Sequence, residues 1–270
     1  MNVESMRYTG APARRAAILE NLQTTGFVSI TDLAERLGVS EMTARRDARR
    51  LHEDGTAVSV HGGIRLRVPE TDGDRDSPGY NGRENARNTA KRAVGRAAAQ
   101  CVRPDDVIAL DAGTTTAQLA KALPAPFHGT VVTHSLPVIN HLLDQPAVTV
   151  IALGGDMHRP SRALVGSATV DVAQRYRVRT FYLGAAAVDE RGVYASADVE
   201  RLVKLALMGI ADRVVLLIDH GKFSARAPVF LCDWNRLSAV VTDREPPEPI
   251  AERLQAEGID LVLPNEYEST

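Results

Sequence analysis

Seven short apolar runs between residues 107 and 262 constrain the fold of this 270-residue chain more than any other feature. They cover 107–110, 131–132, 148–153, 181–183, 214–218, 239–241 and 259–262, with helical patterns between them. Strands that return through helices pair largely in parallel, and a parallel sheet has to be covered on both faces. Residues 83–264 are therefore expected to form a Rossmann-like α/β domain. In such sheets ligands bind beyond the carboxyl ends of the strands, so the turns at those ends are where a site should lie.

Several of those turns are polar or glycine-rich. Asp111-Ala112-Gly113-Thr114-Thr115-Thr116 follows the first run and opens a helix, so backbone N–H groups and hydroxyls there can cradle a phosphate. Threonines also cap helices without binding anything, and that turn alone does not separate the two roles. Thr133-His134-Ser135 follows the second run, Gly154-Gly155 the third, and Asp219-His220-Gly221-Lys222 a later one. Recurrence at several strand ends favours a site for a small anionic ligand.

The N-terminal part has a different grammar. Residues 13–22 place Ala16, Ile18, Leu19 and Leu22 at helical spacing, closed by Thr24-Thr25-Gly26. A second helix is expected from Ser29, which with Asp32 has the form of a capping box, and it buries Leu33, Ala34 and Leu37. Gly38 supplies the positive φ of a tight turn, Val39 an apolar plug and Ser40 the cap of a third helix. Arg45, Arg46, Arg49 and Arg50 then fall within six residues, while Ala44, Ala48 and Leu51 line the opposite, inward stripe. Val58, Val60, Ile64 and Leu66 alternate around His61-Gly62-Gly63 as a hairpin does. Cap, turn, basic helix and hairpin together describe a winged helix-turn-helix over residues 12–67. The Pro-, Gly-, Asp- and Ser-rich stretch 68–82 follows as a linker.

In that reading the third helix enters the major groove with Ser40, Met42, Thr43, Arg45 and Arg46 nearest the bases. An arginine fork grips guanine O6 and N7, or a phosphate, through two hydrogen bonds. Arg49, Arg50 and Arg65 lie further out, towards the phosphates, and His61 marks the wing tip. Asp47, which DNA would repel, is expected to orient an arginine one turn away. The bland alternative is a solvated arginine-rich helix in a protein-interaction module.

A formal net charge of −2 requires any nucleic-acid surface to be local. Cys101 and Cys232 have no CxxC or ligand-like spacing and are expected as plain buried thiols in a reducing compartment. The sequence carries no bilayer-length apolar run and no basic-then-apolar start, which points to a cytoplasmic protein without a membrane partner. His134 and His141 lack carboxylate–histidine spacing, and neither a metal nor a cofactor is expected. Only Lys91, Lys121, Lys204 and Lys222 stand against a large excess of arginine.

These residues resemble the DeoR family of bacterial transcriptional regulators over nearly the whole chain. The N-terminal likeness rests on Asp32-Leu33-Ala34, Val39-Ser40, Thr43, Arg45-Arg46-Asp47, Leu51, Gly55 and His61-Gly62-Gly63. The C-terminal likeness rests on Arg83, Lys91, the 111–116 turn, Thr133, Ser135, Gly154-Gly155, Gly166, Glu200, Lys204, Asp219 and Lys222. The resemblance implies a ribose-5-phosphate-isomerase-like sensor domain that binds a phosphorylated sugar or polyol. It implies that Thr114, Thr115 and Thr116, with Gly113, hold the phosphate, and that Lys204 and Lys222 supply positive charge. Asp111, Glu200 and Asp219 would then accept from sugar hydroxyls or orient the lysines. A plainer role for Glu200 and Lys204 is an i,i+4 surface pair. Ala44 and Ala48 stand where the family carries larger aliphatics, and His134 where it carries asparagine.

The expected function is a repressor of carbohydrate or polyol genes, not an enzyme, that binds operator DNA as a homodimer or larger oligomer. Its rival is an active sugar-phosphate isomerase with a DNA-binding appendage, since carboxylates and a lysine beside a phosphate cradle can move a proton next to a carbonyl.

Overall fold

The computed structural model describes residues 10–25, 27–54, 56–60, 63–66 and 79–264. The chain divides into two compact units, Met1–Gly73 and Asp74–Thr270.

In the first unit α1 (Ala11–Thr25) and β1 (Phe27–Ser29) precede α2 (Ile30–Leu37) and α3 (Glu41–Glu53), followed by β2 (Ala57–Val60) and β3 (Gly63–Leu66). Local chemistry sets the helix ends. Ser29 Oγ accepts the Asp32 N–H at 3.0 Å to start α2, and Gly38, at φ 62°, ends it in the left-handed region that a side chain would disfavour. Ser40 Oγ accepts the Thr43 N–H at 3.3 Å and starts α3. Ile18, Leu22, Leu33, Leu37, Leu51 and Ile64 close the core, together with Ala44 and Ala48 at 0% and 2% exposure. Each large aliphatic so buried contributes about 1.5–3 kcal/mol. The predicted hairpin strands form, and they gain β1 as a third, antiparallel strand in the order β1-β3-β2. Three residues are too few for an alternation to show in the sequence.

Asp47 departs from its expected role. It is buried, and its Oδ2 accepts from Arg14 Nε at 2.7 Å, with Arg15 Nη1 4.0 Å from Oδ1. Its partners lie on α1, 33 residues away in sequence, and not one turn along α3. Burial decides this: a desolvated carboxylate takes the cation that is buried beside it, and the α3 arginines are exposed.

The second unit opens with α4 (Tyr80–Asn85), so Tyr80 to Gly82, linker-like in composition, are helical. Next come α5 (Asn88–Ala99), β4 (Val107–Leu110), α6 (Thr114–Lys121), β5 (Thr130–Thr133), α7 (Leu136–Leu142) and β6 (Thr149–Ala152). The hairpin β7 (Asp156–His158) and β8 (Ala163–Val165) leads to α8 (Ser167–Ala173), β9 (Val178–Gly184), β10 (Ala187–Asp189) and β11 (Gly192–Ala195). The chain continues through α9 (Asp198–Gly209), β12 (Ala211–Leu217), β13 (Val229–Cys232), β14 (Ala239–Val241), α10 (Glu248–Ala256) and β15 (Asp260–Val262).

All seven expected strands join one parallel sheet in the order β15-β14-β12-β9-β4-β5-β6. Alternate residues feed opposite cores. Ala109, Val132, Phe181, Leu183, Val214 and Leu216 meet Val203 and Leu207 of α9 and Ile250 of α10. Ile108, Leu110, Val131, Tyr182, Val215 and Leu217 meet Val94 and Ala98 of α5 and Leu119 of α6. This double burial is why the strands read as continuous apolar runs. Helices α5 and α6 approach so closely at Gly95 that a Cβ there would stand 2.7 Å from the Gln118 carbonyl carbon. The β7–β8 hairpin and the antiparallel sheet β10-β11-β13 were not legible in the runs. Cys232 is buried as expected, whereas Cys101 is exposed, because it sits in the turn after α5 and not on its apolar stripe.

Candidate functional site

On α3 the helix's own carboxylates sort the four arginines. Arg45 Nη2 donates to Glu41 Oε2 at 3.3 Å, Arg49 Nε to Glu53 Oε1 at 3.2 Å, and Arg50 lies 3.4 Å from Glu53 and 3.5 Å from Asp54. Among the described residues Arg46 has no ion pair, which leaves its whole fork for another molecule. Ser40 and Thr43 share a hydroxyl hydrogen bond of 3.0 Å beside the cap, and Met42 is 82% exposed. His61 and the side chain of Arg65 lie outside the described residues. The helix therefore presents an outward row of cations and one apolar side chain.

In the second unit the order of the sheet fixes the place of the site. From β4 the chain runs to β5 and β6 on one side, then returns to β9 on the other. The carboxyl ends of β4 and β9 thus flank the point where the winding reverses. Asp111 follows β4 directly and is fully buried. Its Oδ2 accepts the Gly184 N–H at 2.8 Å and the Lys204 ammonium, which also donates to Gly184 O at 3.1 Å. Burial alone would raise the Asp111 pKa, but the Lys204 charge and the His134 hydrogen bond outweigh it and hold the carboxyl well below the usual carboxylate range.

His134 follows β5 and is also buried. Its Nδ1 faces Leu164 O at 3.0 Å, and its Nε2 lies 3.1 Å from Asp111 Oδ1 and 3.2 Å from the Ala112 nitrogen. The residue thus ties the turn after β4 to the β7–β8 hairpin.

The predicted hydroxyls divide. Thr116 Oγ1 accepts the Gly113 N–H at 2.9 Å and donates to Asp111 O at 2.7 Å, so it is spent on the turn. Thr133 Oγ1 donates to Leu110 O at 2.7 Å and accepts the Ser135 N–H at 3.1 Å, while Ser135 Oγ caps α7. The hydroxyls of Thr114 and Thr115 make no hydrogen bond among the described residues, and as the first residues of α6 their N–H groups find no acceptor within the helix. At Gly155, φ 125°, a Cβ would stand 2.1 Å from Thr169 Oγ1, and Gly154 O accepts from that same hydroxyl at 2.5 Å. Gly155 therefore serves close backbone packing, whereas a Cβ at Gly154 would meet nothing within 4 Å. Glu200 and Lys204 are both buried and turn to different partners: Glu200 accepts from Ser196 Oγ at 2.9 Å and lies 3.8 Å from His158 Nδ1. They are not a surface pair.

A second charged cluster stands two strands away, beyond β12. Asp219 is buried, its Oδ1 accepts the Gly221 N–H at 3.1 Å, and Arg87 Nε lies 3.9 Å from it. Arg87, in the left-handed region at φ 50°, lies across Gly221, where a Cβ would stand 2.3 Å from its guanidinium carbon. Burial pushes the Lys91 ammonium down to about 8, with Lys222, Arg83 and Arg87 adding to the effect and Asp219 opposing it. Lys222 is likewise lowered, first by burial. Lys91 and Lys222 both feel the charge of Asp219, while the Lys91 ammonium itself donates to the carbonyls of Arg83 and Ala86 and Arg83 Nη2 donates to Pro160 O at 3.0 Å. The sequence pattern gave no role to Arg87 or Lys91. A lysine on the buried stripe of α5, in register with Val94 and Ala98, was the available signal.

A separate groove of about 680 Å³, lined among others by Lys121, His141, Met157, Arg159 and Arg162, brings together none of the predicted residues. The buried strand-end charges weigh more than the groove's size, because desolvated charge needs a partner and an open groove does not.

A helix-turn-helix with an outward basic helix, followed by an α/β unit with charged strand ends, defines a DNA-binding transcription regulator. Residues 14–69 match the DeoR-like helix-turn-helix domain and residues 86–244 the DeoR C terminal sensor domain. The chain belongs to the DeoR family. It is 29% identical to the HTH-type transcriptional repressor CsqR of Escherichia coli, covering 96% of this chain and 97% of that one. It is 28% identical to the repressor GlcR of Bacillus subtilis (94% and 97% covered) and 28% identical to the glycerol-3-phosphate regulon repressor of Escherichia coli (93% and 98%). Ribose 5-phosphate isomerase A of Methanocaldococcus jannaschii overlays 51% of this chain and 55% of its own at a TM-score of 0.38 and 18% identity, a likeness from which nothing about this chain follows. Among the described residues no helix is long and apolar enough to cross a membrane.

Proposed function

We propose that the protein represses genes of carbohydrate or polyol metabolism and is released from its operator by a phosphorylated sugar or polyol bound across the strand ends of β4, β9 and β12. One observation carries this reading: Arg87 and two desolvated lysines, Lys91 and Lys222, lie within electrostatic reach of the buried Asp219 carboxylate, and Arg83 adds to the positive field on both lysines. Such surplus charge calls for an anion. Thr114 and Thr115 at the start of α6 extend the anion cradle, and the buried Asp111–Lys204 pair holds the turn that carries them. Neighbouring strands are about 4.8 Å apart, so β4 and β12 are separated by roughly 10 Å, the scale of a sugar phosphate. The names of the relatives agree with a repressor of this kind. We assign residues 12–67 to the DNA-binding domain, 68–82 to the linker and 83–264 to an isomerase-like sensor. The protein acts in the cytoplasm as a homodimer or larger oligomer, so that paired copies of α3 meet a two-fold or repeated operator. The effector binds the DNA-incompetent state more tightly, since equal affinity for both states shifts nothing.

A thermal-shift screen with glycerol 3-phosphate, ribose 5-phosphate and hexose phosphates tests this. At about a hundred times its Kd a true effector adds about 2.7 kcal/mol to the stability of the sensor. Equal shifts from the unphosphorylated compounds, or none from any ester, would sink the proposal, and interconversion of ribose 5-phosphate would move it to the isomerase.

The lowered Lys91 predicts a pH dependence. Between about pH 8 and its ordinary value near 10.5, the unfolded chain holds a proton on Lys91 that the folded chain has lost, so stability rises with pH across that window. Affinity for a phosphate ester moves the other way, because the site loses a positive charge. Titrating the hit of the screen from pH 7.5 to 9.5 should show weakening that Lys91→Met removes; equal weakening in that variant would exclude Lys91.

A further inference from the structure

We propose that Glu41 and Thr31 are positioning residues for base reading, acting through Arg45; this rests on α3 being the helix that reads the operator. Glu41 is the first residue of α3, and its two carboxylate oxygens have separate partners. Oε1 accepts from Thr31 Oγ1 at 3.1 Å, on the neighbouring helix α2, and Oε2 accepts from Arg45 Nη2 at 3.3 Å. The Thr31 hydroxyl thus fixes the carboxylate, and the carboxylate fixes the guanidinium. Among the described residues one of the five N–H groups of Arg45 is engaged, which leaves the others for a base edge. The guanidinium is 69% exposed and the carboxylate 50%. Exposed pairs of this sort add little to folding, and a negative charge at the DNA-facing end of a reading helix opposes binding to every duplex. Arg46, one residue on, has no such support among the described residues. The arrangement makes sense as discrimination: Glu41 lowers affinity for all DNA while holding Arg45 in the one direction that a guanine rewards.

The test uses the full-length protein and compares its selected operator with random duplex, by binding titration and by selection from a randomised library. Glu41→Ala is expected to raise affinity for random duplex about twofold or more, through loss of a repelling charge, and to lower the specific-to-random ratio about fivefold or more. Thr31→Val keeps the charge, so random affinity should stay level while the ratio falls. Thr31→Ser keeps the hydroxyl and should restore the parent preference. A merely structural role would move both duplexes together. The proposal is overturned if both Glu41→Ala and Thr31→Val keep the parent base preference at every position, or if Thr31→Ser loses as much as Thr31→Val. Arg45→Ala and Arg46→Ala in the same assay separate the two levels: no effect from either would remove α3 as the reading helix altogether.

Discussion

Lys204→Met should cost the sensor unit about 3–5 kcal/mol, because it leaves Asp111 buried without its cation. For a unit of this size the melting temperature moves roughly 2–4 °C per kcal/mol, so the loss is large in a simple melt. The pH dependence identifies the cause. In the parent, Asp111 is held below its ordinary range, so its contribution is present above the unfolded value near 4 and is lost only as pH falls towards the folded one. In the variant burial dominates and raises the Asp111 pKa, so its penalty is greatest at high pH and eases as the carboxyl takes up a proton. The stability difference between parent and variant should therefore shrink from pH 8 to pH 5 in denaturant titrations. Lys204→Met combined with Asp111→Asn should recover much of the loss, since removing both charges of a buried pair is far milder than removing one. A single variant that melts with the parent would mean that the pair carries no weight in the fold.

Arg46→Ala should weaken specific operator binding by about 1–3 kcal/mol and relax preference at one base pair, the range of a lost bidentate guanine contact. Its effect on random duplex should be small. Arg49→Ala and Arg50→Ala should behave differently. Both side chains already lean on Glu53, and if they meet phosphates their loss lowers affinity for all sequences alike and flattens the salt dependence by about one counterion each. Unchanged affinity and base preference in both Arg45→Ala and Arg46→Ala would sink the assignment of α3.

What the sequence made legible was what local chemistry decides. Gly38 and Ser40 announce a turn and a cap because one needs positive φ and the other a short side-chain acceptor. The seven strands show because burial on both faces writes an uninterrupted apolar run. The Asp111 turn was found through its position after such a run. Long-range pairing was not legible. Nothing within a helical turn of Asp47 says that Arg14 will reach it, and nothing around Asp111 says that Lys204, 93 residues on, will neutralise it. Nor does a threonine reveal where its hydroxyl will point. Thr116 resembles its two neighbours, yet it alone turns back onto the Gly113 and Asp111 backbone. Strands as short as β7 and β8 leave no period to detect.

The contact at Gly95 bears on how a signal can leave the site. With no room for even a methyl group between α5 and α6, the two helices have no play between them, like gears cut without backlash. Lys91 rides on one and Thr114 starts the other. If the proposed effector shifts Thr114, this contact should carry Lys91 with it, so that the two helices respond as one lever. Gly95→Ala would wedge that lever open at its pivot, one helical turn from Lys91.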